Sequence, residues 1–164
     1  MEIRAAAPTD NAALQALQAR CPQGTSIILS TVNTPDFFAR ASAYEMCKVF
    51  VACEHGQIVG SAACAVHEAM VGGTMRRVGY EFQYFTDPDL RQKGVARKLR
   101  ARIEEYLREQ EAVLSYAVVI EGNLPSMRLL EKEGFHCHRV LITPTLLLRR
   151  ELPLPPAAGT VRPA

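Results

Sequence analysis

A basic glycine turn between an apolar stretch and an amphipathic stretch carries the clearest chemical pattern in the sequence. The turn spans residues 91–96, reads Arg-Gln-Lys-Gly-Val-Ala, and follows Pro88, which cannot donate to a strand ladder. Apolar residues then recur at helical spacing from Val95 to Leu107, so the turn lies at a helix N-terminus. Unpaired backbone N–H groups and the helix dipole favour an anion there, and Gly94 lets the backbone approach closely. The pattern predicts a phosphate or pyrophosphate site.

The turn does not fit two other nucleotide-binding motifs. A P-loop ends in Gly-Lys-Ser/Thr, whereas here Gly94 is followed by Val95 and Ala96, and the glycines of a dinucleotide fingerprint are missing. On this stretch alone, a ligand-free glycine turn with solvated basic residues is an open alternative. The charged residues of the following helix, Arg100 among them, are expected on its solvated faces.

Composition narrows the classes of function. The chain has 164 residues, of which 48% are hydrophobic and 22% charged, and this predicts one globular domain with a real core. A net charge of +2, with no tryptophan, does not suggest the basic, aromatic-rich face of a nucleic-acid binder. Charged residues within the first ten positions, and no apolar run near 18 residues, predict neither a signal peptide nor a membrane span. We therefore expect a cytoplasmic protein without nucleic-acid or membrane partners.

Cysteine and histidine spacing does not indicate a metal site. The five cysteines are an odd number at wide spacing, which favours buried free thiols. His136 and His138 flank Cys137 but lack a nearby third ligand in the sequence. No metal is predicted.

Hydrophobic patterning and turn residues predict the remaining elements. Strands are expected over residues 2–6, 49–54, 57–66, 78–85, 112–120, 136–143 and 145–150. Helices are expected from Pro8, over 35–44, over 95–107, and from the cap residue Asn123 to the C′ residue Gly134. Residues 68–76 are expected to form a turn. Residues 1–150 then make one domain, and the proline-rich residues 151–164 a tail or linker that we expect once led to a further domain beyond residue 164.

Two of these stretches resemble the signatures of the GCN5-related N-acetyltransferase (GNAT) family. The turn fits the pattern Gln/Arg-x-x-Gly-x-Gly/Ala. Residues 123–135, Asn-x-x-Ser-x-x-Leu-Leu-Glu-Lys-x-Gly-Phe, resemble the family's Asn-x-x-Ala-x-x-Leu-Tyr-Glu-Lys-x-Gly-Phe. The order of elements over residues 1–150 also matches. The resemblance implies an α/β mixed sheet with the acyl-CoA N-acyltransferase fold: about seven strands, with strands 4 and 5 splayed, and about four helices.

The same resemblance implies acetyl-coenzyme A (acetyl-CoA) as co-substrate, lying in the gap between the splayed strands, with no metal. The end of strand 4 would contact the pantetheine arm and thioester, the turn would hold the pyrophosphate through its N–H groups, and Asn123 would meet the arm from the fifth strand. The cofactor-binding residues implied in this way are Phe85, Thr86, Arg91, Gln92, Lys93, Gly94, Val95, Ala96 and Asn123.

One departure from the family pattern concerns proton transfer. Leu130 stands where many members have the tyrosine that protonates the leaving thiolate, so the usual general acid is missing. Ser126 lies near the place where the thiolate would emerge and is a candidate acid. A backbone N–H of Phe85 or Thr86 is a candidate donor to the thioester oxygen.

A base is also useful, because an amine of pKa near 10.4 is neutral in only roughly one molecule in a few thousand at pH 7. Glu81 is the leading candidate, since it is the only carboxylate of strand 4 before the turn. A structural, partly exposed Glu81 is an equal alternative, because strand alternation sets it opposite Tyr80 unless a bulge intervenes. Tyr80, Tyr84 and Tyr116 are other candidate proton carriers.

The sequence therefore predicts an N-acetyltransferase in which a primary amine attacks acetyl-CoA directly in a ternary complex, since no positioned nucleophilic cysteine is apparent. The amine belongs to a small molecule or to a peptide or protein that the sequence does not identify. The alternative is a catalytically weak acyl-CoA-binding regulatory or interaction module of a larger protein, suggested by Leu130 and the tail. Dimers are common in the resembled family, so a homodimer is left open.

Overall fold

The computed structural model describes residues 1–23, 28 and 30–142, and these contain five strands in one sheet of order β1-β2-β3-β4-β5. The strands are β1 (Glu2–Ala5), β2 (Met46–Glu54), β3 (Gln57–Val71), β4 (Thr74–Thr86) and β5 (Leu114–Ala117). Neighbours from β1 to β4 are antiparallel, and β5 is parallel to β4. The helices are α1 (Asn11–Ala19), α2 (Val95–Glu109) and α3 (Leu124–Lys132), with 3₁₀ segments Pro8–Asp10, Phe37–Ala43 and Pro88–Leu90.

This arrangement confirms the predicted mixed sheet, and several predicted boundaries are wrong. The hairpin of β3 and β4 continues through residues 68–76 to a tight turn at Gly72 and Gly73, because Glu68 pairs with Arg77 and Met70 with Met75. The fifth strand is only four residues long, and its side chains are exposed or half-buried rather than buried on both faces.

The predicted sixth strand is wrong over its described part. Residues 136–142 have no regular structure, because an apolar run forms a strand only where a neighbouring strand supplies hydrogen bonds. The rest of that strand, the predicted seventh strand and the tail lie outside the described residues. The division at residue 150 therefore stays a prediction.

Helices cover both faces of the sheet and give it two apolar cores. On one face α1 and the 3₁₀ helix Phe37–Ala43 pack against the strands. The buried residues of this core include Leu14, Leu17, Phe37, Val51, Ala63, Phe82 and Phe85. On the other face lies α2. The buried residues of this second core include Phe50, Ala62, Val66, Val95, Leu99, Ile103 and Leu107. Successive strand residues point to opposite faces, which explains the two sets. No helix in the described part of the chain has the length and apolar character to span a bilayer.

A bulge in β4 changes which of its residues face each core. Phe82 pairs with Ala63 but Phe85 pairs with Ser61, so β4 has one extra residue there, and Gln83 has a positive φ of 52°. Phe82 and Phe85 consequently both face α1. Glu81 and Tyr84 point to the α2 face, where they contact each other.

Two glycines let α2 lie close to the sheet. A Cβ atom built on Gly60 would lie 2.6 Å from Cγ1 of Val95, and one built on Gly79 would lie 2.3 Å from Cδ2 of Leu107. Both distances are too short for real carbon atoms. Gly60 therefore sets the approach of the N-terminal end of α2, and Gly79 that of its C-terminal end.

We expect Gly60→Ala to destabilise the fold, because its methyl group must displace Val95, which has one stiff side-chain torsion. Overpacking of this kind costs about 1–3 kcal/mol, which corresponds to a Tm lower by roughly 3–10 °C for a chain of this size. Thermal unfolding followed by circular dichroism measures the shift. Ala101→Ser on the exposed side of α2 is the control, and equal Tm values for the two variants would refute the close approach.

Candidate active site

The turn predicted to bind phosphate caps the N-terminus of α2. Gly94 is the N-cap residue, with a φ of 81° that favours glycine, and Gln92 also has a positive φ of 63°. Among the described residues, nothing accepts a hydrogen bond from the backbone N–H groups of residues 94–97. A Cβ atom built on Gly94 would meet nothing within 4 Å among the described residues, so the glycine is required by its positive φ rather than by close packing. The local geometry suits an anion.

The chain entering the turn is held by contacts with α1. The Asp87 carboxylate lies 2.8 Å from the Arg20 guanidinium and accepts a hydrogen bond from the Asp89 N–H at 3.1 Å. The Asp87 N–H donates to the carbonyl of Val59 at 2.9 Å. The Cys21 thiol donates to the Thr86 carbonyl at 3.2 Å. The end of β4 is thus fixed before the turn begins.

The pairing of β4 with β5 ends before this turn, and the region beyond the last pair is called the β4–β5 gap. The last paired residues are Glu81 and Ala117, whereas β4 continues to Thr86. The predicted contacts Phe85 and Thr86 lie on this continuation. Asn123 starts α3, a few residues after β5, and its side chain accepts a hydrogen bond from the Ser126 N–H at 3.4 Å. The predicted cap is confirmed; the roles of these residues toward a cofactor stay predictions.

Glu81, the candidate base, is 1% exposed and lies beneath α2. Its carboxylate accepts hydrogen bonds from Tyr84 and Ser115, both at 2.7 Å, and lies 3.3 Å from Nε of Arg100. Burial, together with the Glu81 carboxylate, raises the pKa of Tyr84 well above its usual value. Tyr84 is therefore protonated, and its hydroxyl donates the hydrogen bond to Glu81. The predicted solvated position of Arg100 is wrong: Arg100 is 7% exposed and faces Glu81.

Ser126 and Leu130 lie on α3. Ser126 is half-buried in the first turn, and Leu130 is half-buried one turn later. The helix ends as predicted, with Gly134 at a φ of 85° and the Phe135 N–H donating to the Leu130 carbonyl. The catalytic role of Ser126 stays a prediction.

The opposite face of β4 carries an aromatic wall, defined here as Tyr44, Tyr80, Phe82 and Tyr116. The Tyr80 ring stacks on Phe82 at 5.1 Å and on Tyr116 at 5.0 Å between centroids. Arg40 lies over the wall, 4.8 Å from the Phe82 centroid, and donates a hydrogen bond to the Tyr80 hydroxyl at 2.7 Å. Sequence reasoning missed Arg40, because it lies in a segment without a motif and meets β4 only in three dimensions.

Tyr44, one member of the wall, lines a groove of about 520 Å³. Its lining includes Tyr44 and His67, and His67 Nε2 lies 3.5 Å from the Tyr116 hydroxyl. Burial, together with neighbouring Tyr44 and Tyr80, raises the pKa of Tyr116, so this phenol is protonated at neutral pH. Tyr44 and His67 thus place a phenol and an imidazole in the lining of the groove.

Comparison with known proteins gives a family match and several structural likenesses. A family model described as the acetyltransferase (GNAT) family matches residues 12–135. An acetyltransferase from Trypanosoma brucei is 21% identical, with a TM-score of 0.68 over 88% of this chain and 99% of that one. A mutant BH1408 protein from Bacillus halodurans is 18% identical, with a TM-score of 0.73 over 90% and 100%.

The aminoglycoside N-acetyltransferase AAC(6')-Iy, solved in complex with CoA, is 18% identical in sequence to this chain. Its structure gives a TM-score of 0.66 over 89% of this chain and 100% of that one. At these identities the likeness to solved structures establishes the fold alone. No curated protein sequence matches the chain.

We expect Asp87→Ala to lower the Tm by roughly 5 °C, because it removes a cap and a partly exposed ion pair that together contribute about 2 kcal/mol. Asp89→Ala is the matched control, since Asp89 is exposed and contributes only its backbone N–H to this contact. Differential scanning calorimetry measures both variants. A Tm for Asp87→Ala equal to that of the control would show that the clamp on the turn is not stabilising.

Proposed function

Because the chain belongs to the acetyltransferase (GNAT) family and is an acetyl-CoA-dependent acyltransferase, we propose that it acetylates a primary amine by direct attack in a ternary complex. The observation that carries the proposal is that the N–H groups of residues 94–97, at the N-terminus of α2, have no hydrogen-bond partner among the described residues. Backbone donors at a helix N-terminus are suited to a pyrophosphate. The CoA complex of a protein with the same fold supports acetyl-CoA as the acetyl donor.

The proposed cofactor contacts follow the two sides of the gap. Arg91 to Ala96 hold the pyrophosphate, through backbone N–H groups and the charges of Arg91 and Lys93. Within the described residues, β4 has no strand partner on its β5 side after Glu81, so Phe85 and Thr86 can offer backbone groups to the pantetheine arm. Asn123 meets the arm from the other side with its amide nitrogen, since its oxygen caps α3. Acetyl-CoA supplies an acetyl group activated as a thioester.

The acceptor amine is proposed to approach from the face that carries the aromatic wall. Helix α2 packs on one face of the sheet, whereas the other face carries the aromatic wall, and Tyr44 of this wall lines a groove. Aromatic faces bind ammonium groups, and the position of Arg40 over Phe82 is a contact of this kind. Acceptors of the proposed class are small-molecule amines, as in the aminoglycoside N-acetyltransferase of similar fold, or amines of peptides and proteins.

Direct attack is favoured over an acetyl-enzyme because the thiol nearest the end of β4 is a poor nucleophile. Burial raises the pKa of Cys21, and its hydrogen is donated to the Thr86 carbonyl. Ser126 as acid stays a prediction, as do a cytoplasmic location, a homodimer and a further domain.

Leu130 favours a second function, that of an acyl-CoA-binding module with weak catalysis. Without the tyrosine at this position, the chain lacks one way of protonating the leaving thiolate. Release of free thiol that depends on both acetyl-CoA and an amine would exclude this second function.

Calorimetric titration of the full chain with acetyl-CoA tests the proposed donor site. We expect micromolar binding by the wild type and its loss in Gly94→Glu, because the new carboxylate would occupy the anion site and repel the pyrophosphate. Gly73→Glu is the matched control: its φ of 82° equals that of Gly94 within a degree, and it too has open space, but it lies in the β3–β4 turn.

An amine screen that detects free thiol then tests transfer, and initial velocities with both substrates varied should give intersecting lines. Absence of binding by the wild type, or equal binding by the two glutamate variants, would contradict the donor site. Parallel lines would contradict direct attack.

The proposed acceptor face gives a separate expectation. Tyr44→Leu and Tyr80→Leu, which each remove one ring of the aromatic wall, should raise the KM for the acceptor at least fivefold, which corresponds to about 1 kcal/mol of lost contact. Both should leave the Kd of acetyl-CoA within twofold of the wild type, since neither residue borders the turn. Steady-state kinetics with an acceptor from the screen measures the split. An unchanged KM in both variants would place the acceptor elsewhere.

A further inference from the structure

A buried polar cluster lies where β4 and β5 separate. It consists of Glu81 and Tyr84 of β4, Arg100 of α2 and Ser115 of β5. Glu81 is 1% exposed and Arg100 is 7% exposed. Charges at this depth lose their hydration and persist only when they are paired and hydrogen-bonded. The burial of these charges therefore needs an explanation, and the cluster's contacts with β4, β5 and α2 provide one.

The Glu81 carboxylate joins three elements in one contact. Its Oε1 accepts the Ser115 hydroxyl proton at 2.7 Å, from β5. Its Oε2 accepts a hydrogen bond at 2.7 Å from the hydroxyl of Tyr84, which lies in the bulge of β4, and is 3.3 Å from Nε of Arg100 on α2. These are the two strands that border the gap and the helix whose N-terminus forms the turn.

Arg100 extends the cluster to the segment after α3. Its guanidinium carbon lies 5.3 Å from the centre of the Phe135 ring, and its Nη1 lies 3.9 Å from Glu104. Nε and Nη1 of Arg100 are buried and have no hydrogen-bond partner among the described residues. The guanidinium charge therefore depends on Glu81 as its only buried counter-charge among those residues.

We propose that Glu81 is a positioning residue that sets the geometry of the β4–β5 gap, and through it acetyl-CoA binding, rather than the base that deprotonates the acceptor amine. The inference rests on the proposed function. A base needs an oxygen within hydrogen-bond reach of the amine. Both oxygens of Glu81 are occupied, and they lie on the α2 face, whereas the aromatic wall lies on the opposite face of β4.

Glu81→Gln in the full chain separates the two roles. A glutamine keeps the size of the side chain but turns N–H donors toward groups that are themselves donors. We expect the Kd of acetyl-CoA to rise about tenfold, because small displacements of positioning groups are costly. The Tm should fall by roughly 10 °C, because Arg100 loses its counter-charge. The dependence of kcat on pH should keep the limbs of the wild type.

Glu104→Gln is the matched control. It removes the other carboxylate near Arg100, but that carboxylate is on the exposed side of α2, with 47% of its side chain accessible. We expect its acetyl-CoA Kd to stay within twofold of the wild type. The double variant Glu81→Gln/Arg100→Gln should recover part of the lost Tm, because it removes the unpaired charge as well.

Tyr84→Phe and Ser115→Ala keep the inference testable if Glu81→Gln does not fold. Each removes one hydrogen bond to Glu81 without leaving a buried charge unpaired. Each should weaken acetyl-CoA binding two- to fivefold at temperatures well below its Tm. A purely structural effect would lower the Tm and leave this Kd unchanged.

Two results would overturn the positioning role. One is an acetyl-CoA Kd that matches the wild type in every folded variant of the cluster. The other is a loss of kcat confined to Glu81→Gln, with the acidic limb of its pH profile gone, which would identify Glu81 as the base. A wild type that fails to bind acetyl-CoA in the same titrations overturns the proposed function itself, so the two failures are distinguishable.

Discussion

The constraint on which the rest of the structure depends is that β4 pairs with β5 only as far as Glu81. Beyond that residue β4 remains paired with β3, whereas no strand in the described part of the chain pairs with its other edge, and the bulge at Gln83 lies at this transition. The extra residue turns Phe82 and Phe85 to one core and leaves Tyr84 on the other face, beside Glu81. An open edge and a fixed backbone are both needed if a ligand is to bind between two strands of a sheet.

The position of α2 follows from the same region. Gly60 lets Val95 approach β3 and Gly79 lets Leu107 approach β4, so the helix is seated at both ends by the absence of a side chain. Between these contacts Arg100 reaches Glu81. The N-terminus of α2 is therefore located by packing along the whole helix, and the direction of its first N–H groups is a consequence of the core rather than of the turn alone.

Local patterns in the sequence were sufficient for the features that depend on neighbouring residues. The glycine turn at Gly94, the Asn123 cap and the end of α3 at Gly134 each follow from a few adjacent residue types, and the structure confirms them. Features that depend on distant pairings were missed or wrong. The bulge is defined by the register against β3, the burial of Arg100 by a carboxylate on β4, and the role of Arg40 by a ring 40 residues away. The predicted fifth strand is too long for the same reason, because an apolar run does not reveal whether a partner strand continues beside it.

The absence of a tyrosine at residue 130 is compatible with catalysis when the protons are counted. A neutral amine that becomes an amide gives up one proton, and the thiolate that forms takes one up, so the protein need supply no net proton. A dedicated acid changes the rate, by about 10² to 10⁴, rather than the balance of the reaction. What the protein must do is hold both reactants in register, which is worth more than any single proton donor. In the proposed function that task falls on the edge of β4 beyond Glu81 and on the residues that fix its position.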